Sequence, residues 1–134
     1  MPSVSVRIVA LEDGSMSSHL VSTTSFDAPP EGLVEWWVKM ALDDLRLMMP
    51  KMKEYGAADL EAIGAALIEA GVRLPGGMAP AELGTLFYLI GKVSRMAPAL
   101  GVGDAPSEDT LMDAEVYAKM CRRIRRVGGW PNKP

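Results

Sequence analysis

The sequence predicts a mainly α protein, a four-helix bundle with an N-terminal β-hairpin. Three observations predict it. Residues 3–10 alternate, with Val4, Val6 and Ile8 on one side and Ser3, Ser5 and Arg7 on the other, the period of a half-buried strand. Four later stretches carry apolar side chains at helical spacing, bounded by Pro, Gly or Ser. Hydrophobic residues make up 49% of the 134, enough for one real core. The expected division is a hairpin arm over 1–28 and a helical domain over 29–134.

Each element has its own grounds. Asp13-Gly14 is a turn signal, and the run His19–Phe26 is rich in strand formers, so the two runs form a hairpin. A lone hairpin is marginal in water and must pack on the helices or pair with another chain. Pro29, Pro30 and Glu31 suit the first turn of a helix running to about Met49, where Pro50 removes a backbone donor and either ends it or kinks it with a brief continuation over 51–55. A second helix covers about Ala57 to Ala70 and stops at Gly71. A third runs from Ala79-Pro80 to about Met96, followed by a Gly/Pro-rich connector over 97–106. Ser107 is a good N-cap for a fourth, with Glu108 and Asp109 in its first turn and Gly128-Gly129 at its end. Trp130 can fold back and dock.

Helical projection gives the expected core lines. On the first helix these are Leu33, Trp37, Met40, Leu47 and Met48, with Asp44 inside the stripe. Trp37 reads as a core anchor and Trp36 as an interface residue. On the third they are Leu86, Leu89, Val93 and Met96, with Glu82 at the centre of an arc flanked by Thr85 and Lys92. On the fourth they are Leu111, Ala114, Tyr117, Cys121 and Ile124. Ten Met against two Phe read as an adaptable core filler, or as a plastic interface at Met48, Met49 and Met52.

Charge and composition exclude several function classes. A net charge of −3 repels phosphate backbones, so bulk nucleic-acid binding is not expected. A single Cys, Cys121, permits no internal disulfide and fits a reducing, cytoplasmic setting. No apolar run spans a bilayer, and no signal peptide is read at the start. His19 stands alone, and Cys121 faces the expected core with no His near it in sequence. Arg122, Arg123, Arg125 and Arg126 suit the negative end of the fourth helix, or else form a phosphate or partner patch that Lys119 and Lys133 extend.

The carboxylates carry the chemistry that remains. Asp109 and Asp113 are spaced i, i+4 and can face one cation, or simply stabilise a helix start. Glu82 sits at N3 if Ala79 is the cap, where it can bond back to the cap. Glu54 and Asp59 flank the junction of the first two helices. Oxygen ligands gathered from facing helices are how bundles hold Mg²⁺.

Three segments carry a resemblance: Pro50-Lys-Met-Lys-Glu-Tyr-Gly-Ala-Ala-Asp-Leu60, Ala81-Glu-Leu-Gly-Thr-Leu-Phe-Tyr-Leu-Ile-Gly-Lys92 and Pro106-Ser-Glu-Asp-Thr-Leu-Met-Asp-Ala-Glu-Val-Tyr117. With the closing Gly-Gly-Trp-Pro131, they resemble segments of small actinobacterial phage proteins, over residues 31–131. Those proteins are distantly similar to the MazG-like, all-α nucleoside triphosphate pyrophosphohydrolases. The resemblance implies four helices, Mg²⁺ dependence, self-association and cleavage of a nucleotide between its α- and β-phosphates. It matches Asp113 best and Glu82 next, with Asp109 as a replacement acid; the leading expectation built on it puts these three on the metal, Glu54 and Asp59 as further ligands or base, and Lys51, Lys53 and Lys92 on phosphate. Both acidic motifs depart from the enzyme pattern. Glu82-Leu-Gly-Thr85 lacks its second acid, and Thr110-Leu-Met-Asp113 lacks its first. A relative that binds nucleotide without hydrolysing it is therefore also implied. The rival expectation is a noncatalytic, self-assembling protein that meets a host or virion partner through the hairpin, the Met/Trp surface or the Arg-rich helix.

Overall fold

The computed structural model describes residues 3–11, 18–52 and 57–130. It is mainly helical with an N-terminal antiparallel hairpin, as the sequence predicts. β1 (Ser3–Leu11) and β2 (Ser18–Asp27) are followed by four long helices, α1 (Leu33–Met52), α2 (Ala57–Glu69), α3 (Pro80–Ser94) and α5 (Glu108–Val127). A six-residue turn of helix, α4 (Met96–Gly101), lies between the last two, inside the stretch expected to be a connector. Pro98 falls in its first turn, where a missing backbone donor costs nothing. The Asp13-Gly14 turn lies outside the described residues.

The chain divides into two compact units, Met1–Leu42 and Asp43–Pro134. The boundary falls within α1, so its opening turns group with the hairpin. In the first unit, β1 and β2 pair from Ser3↔Asp27 to Leu11↔Ser18, with an irregularity after Ile8. Val4, Val6 and Ile8 oppose Phe26, Thr24 and Ser22, which puts the apolar side chains on one face. The Ser5 and Ser25 hydroxyls meet at 2.7 Å on the other.

The second unit is built on two antiparallel helix contacts. At the first, α2 crosses α3 with backbones touching. A β-carbon at Gly84 would collide with the Leu60 carbonyl oxygen, and one at Gly64 with that of Pro80. Only glycine at both positions permits this approach. It presses the small side of α3 inward, so Ala81, Glu82, Gly84 and Thr85 are buried. The expected core line of α3 is therefore displaced: Val93 is 52% exposed, and Leu86 and Leu89 are only half-buried. The Thr85 hydroxyl, fully buried, donates to the Ala81 carbonyl at 2.7 Å.

α5 supplies the other wall of the core through Val116, Tyr117, Met120, Cys121 and Ile124. Tyr117, Cys121 and Ile124 lie where periodicity places them, but Leu111 is exposed and Met120 is buried as deeply as Ile124. Ser107 caps the helix by accepting from the Thr110 amide at 3.1 Å, and Gly128 ends it at φ 81°, a left-handed conformation that favours glycine. Trp130 packs against the core, with the Arg123 guanidinium 5.3 Å over its ring.

α1 departs most from expectation. At Pro50 the second of the two expected outcomes holds: the proline does not end the helix, which continues briefly to Met52. A proline this near the C-terminus forfeits one helical bond rather than a run of them. Met48 is its one buried residue among those described, while Trp37 is 60% exposed and anchors no core.

Gly84→Ala should destabilise the protein by about 1–3 kcal/mol through overpacking against Leu60. Gly91→Ala, on the same helix with open space around it, should stabilise by roughly 0.5–1 kcal/mol. Urea unfolding of the two variants checks the contrast, and equal effects would mean that α2 and α3 do not touch here.

Candidate functional site

Three of the polar residues expected to form a site, Glu82, Lys92 and Asp113, fall along the seam between α3 and α5. The seam has three rungs that fix its antiparallel register. At one end Lys92 Nζ meets Asp113 Oδ2 at 2.8 Å, with both side chains about four-fifths buried (20% and 17% exposed). One turn inward, Tyr88 and Tyr117 stack with centroids 5.5 Å apart and planes 9° from parallel. At the far end Glu82 Oε1 accepts from Arg125 Nε at 2.9 Å and from Nη2 at 2.5 Å. Each ion pair joins a residue in or near the start of one helix to one near the end of the other. Both helix dipoles therefore favour the charges they carry.

The Glu82 pair is lopsided. The carboxylate is buried (2% side-chain exposure), while the guanidinium is 69% exposed. Glu82 thus does not bond back to its cap at Ala79, whose helix start has no side-chain hydrogen bond. A buried carboxylate needs a counter-charge, and Arg125 covers it from the solvent side. The hydrogen bond from Arg125, and then the charge of Glu82, push the guanidinium pKa further above its ordinary range.

Cys121 lies beside this pair. Burial first, and then the Glu82 carboxylate, raise its thiol above 9.0, against a smaller opposing effect of Arg125. A thiol held protonated is a poor nucleophile.

The remaining expected site residues do not join the seam. Asp59, Asp109 and Lys51 are exposed, and Glu54 and Lys53 lie outside the described residues, as does Lys133. Glu82 and Asp113 each face a cation rather than each other. Among the described residues, no group of three or more His, Cys, Asp or Glu side chains is placed to hold a metal ion. The arginine cluster is divided too. Arg125 holds Glu82, Arg123 donates to the Gly129 carbonyl at 2.6 Å, and Lys119 pairs with Glu115 at 2.8 Å, which leaves Arg122 and Arg126 exposed.

A second candidate lies wholly in the first unit. Between the apolar face of the hairpin and the opening turns of α1 is an open groove of about 370 Å³. Val6, Thr24 and Phe26 form one wall, and Leu33, Trp37 and Ala41 are prominent in the other. Thr24 brings the one hydroxyl of the lining, so the groove suits apolar surface rather than a phosphate. Trp36 stands against Trp37, edge to face at 5.5 Å, and is itself 53% exposed. Periodicity missed this groove by assigning Trp37 to a core. The available signal was the density of large apolar residues over Leu33–Val38, more than one helix face can bury in a single core.

Neither a protein-family model nor a curated protein nor a solved structure matches the chain. Among the described residues, no helix is long and apolar enough to cross a membrane.

Arg125→Ala strands the Glu82 carboxylate and should lower the unfolding midpoint more than the joint change Glu82→Met with Arg125→Met, which removes both charges. Thermal unfolding of the two variants tests this order, and the reverse order would mean that Arg125 does not neutralise Glu82.

The raised thiol makes a second prediction. The folded state keeps the Cys121 proton to higher pH than the unfolded chain does. Its contribution is whole below about pH 9 and is lost as pH rises through the raised value. The stability gap between wild type and Cys121→Ala should therefore narrow above pH 9 in denaturant titrations, and a gap constant to pH 10.5 would refute the shift.

Proposed function

We propose that this chain is a noncatalytic interaction protein that docks a protein surface on the apolar face of its first unit. The observation that carries the reading is the groove lined by Phe26, Leu33 and Trp37, with Trp37 60% exposed beside it. An exposed tryptophan next to an apolar groove has the character of an interface hot spot, where aromatic anchors supply most of the binding energy. The acidic residues are meanwhile committed to structure: Glu82 and Asp113 hold α3 against α5 through Arg125 and Lys92. The surface it docks is protein; a second copy of this chain falls in that class, as does a host or virion protein of the host cytoplasm, the setting implied by the resemblance.

A second reading, also drawn from that resemblance, is a nucleotide-binding relative of the pyrophosphohydrolases. Its one supporting observation is that Lys92 and Asp113, expected at a shared phosphate-and-metal site, lie 2.8 Å apart. The pairing also spends the charge that each would offer a ligand.

A photoreactive amino acid substituted for Trp37 should cross-link a discrete protein in cells, while the same group at exposed Glu61 on α2 should not. Indistinguishable products from the two positions would overturn the interaction reading. Calorimetry with Mg²⁺ and each common nucleoside triphosphate should give no binding heat, and no pyrophosphate should be released. An isotherm abolished by Asp113→Asn would favour the nucleotide reading instead.

A further inference from the structure

We infer that the occupant of the groove is a second copy of this chain, in a two-fold dimer whose interface is the first unit of each protomer. The inference rests on the interaction reading above and names its partner.

The first argument is area. Ile8, Phe26, Leu33, Trp37 and Val38 are 54%, 39%, 39%, 60% and 40% exposed. Ile8 shares the apolar hairpin face, and the other four line the groove. At ordinary residue sizes they present on the order of 500 Å² of apolar surface. A standard interface takes about 800 Å² from each partner, a little over half of it apolar, or roughly 450 Å². The patch is thus the size that one side of a stable dimer needs.

The second argument is self-complementarity. A two-fold interface joins a patch to its own copy, so the patch must hold both a projection and a recess to receive it. This face offers both: the groove is the recess, and Trp37, a wall residue that is 60% exposed, is the large side chain presented to the copy's recess.

The third argument is the hairpin. Among the described residues two strands form the whole sheet, and such a hairpin is marginal in water unless its apolar face is covered. A dimer covers both copies at once. Closed two-fold pairing also stops at two protomers, where strand-edge stacking would continue without end.

Sedimentation velocity of the purified full chain over about 1–100 μM tests this, the concentrations being chosen to bracket ordinary interface affinities. The expected result is a reversible species of twice the 14.4 kDa monomer mass. Trp37→Lys should weaken it roughly 30-fold or more, the loss of one hot-spot residue. Its helical circular dichroism should match wild type, because Trp37 is not in a core. Leu100→Lys, at a 62% exposed site on α4, should leave the dimer intact. A wild-type chain that is monomeric throughout, a dimer indifferent to Trp37→Lys, or growth past the dimer would each overturn the inference. A monomer that still gives a position-specific cross-link to another protein from residue 37 would sink the dimer and leave the interaction reading standing. No cross-link of any kind would sink both.

Discussion

The close crossing of α2 and α3 at Gly64 and Gly84 is the constraint from which the rest of the second unit follows. Two helices whose backbones touch cannot place large side chains between them. The small face of α3 therefore turns inward, and Glu82 and Thr85 go with it because they share that face. Once Glu82 is buried it must be neutralised, and the neighbouring helix has to bring a cation to that depth. Arg125 in the last turn of α5 does so. A packing requirement between two helices thus sets an electrostatic requirement on a third.

The α3–α5 seam meets that requirement and fixes the topology in doing so. Glu82 with Arg125 at one end and Lys92 with Asp113 at the other have opposite polarity, and the Tyr88–Tyr117 stack lies between them. A parallel arrangement would set Glu82 near Asp113 and Lys92 near Arg125, like against like. The seam therefore specifies direction and register as well as contributing stability. The same logic shows why acids that resemble a metal site in sequence can serve another purpose. A buried carboxylate on a helix face needs a positive partner, and an arginine from the next helix satisfies it as well as an ion would.

The first unit follows a different rule. Its hairpin and the opening turns of α1 carry more large apolar side chains than they bury against each other, and the excess surrounds a groove. Surface of that size and character is costly to leave in water, so it reads as one side of a contact.

Most local order was legible in the amino-acid sequence, although the short α4 was read as connector. Alternation gave β1, strand-forming residues gave β2, and Ser107 and Gly128 gave the limits of the last helix, because strand period and helix caps depend only on neighbouring residues. Tyr117, Cys121 and Ile124 were placed in the core for the same reason. The orientation of α3 was not legible by counting apolar residues, since Val93 and Leu89 outweigh Ala81 and Gly84 on any hydropathy scale. Two glycines inside helical stretches were the available sign, and they gain meaning only when each is found against the other helix's backbone. The partners of Glu82 and Asp113, 43 and 21 positions away, were likewise decided by tertiary structure. The sequence by itself determined the two strands, the four long helices and the caps of the last one. Which faces touch, which acids are neutralised and which tryptophan stays in water were decided by packing, because those energies depend on residues that the chain order keeps apart.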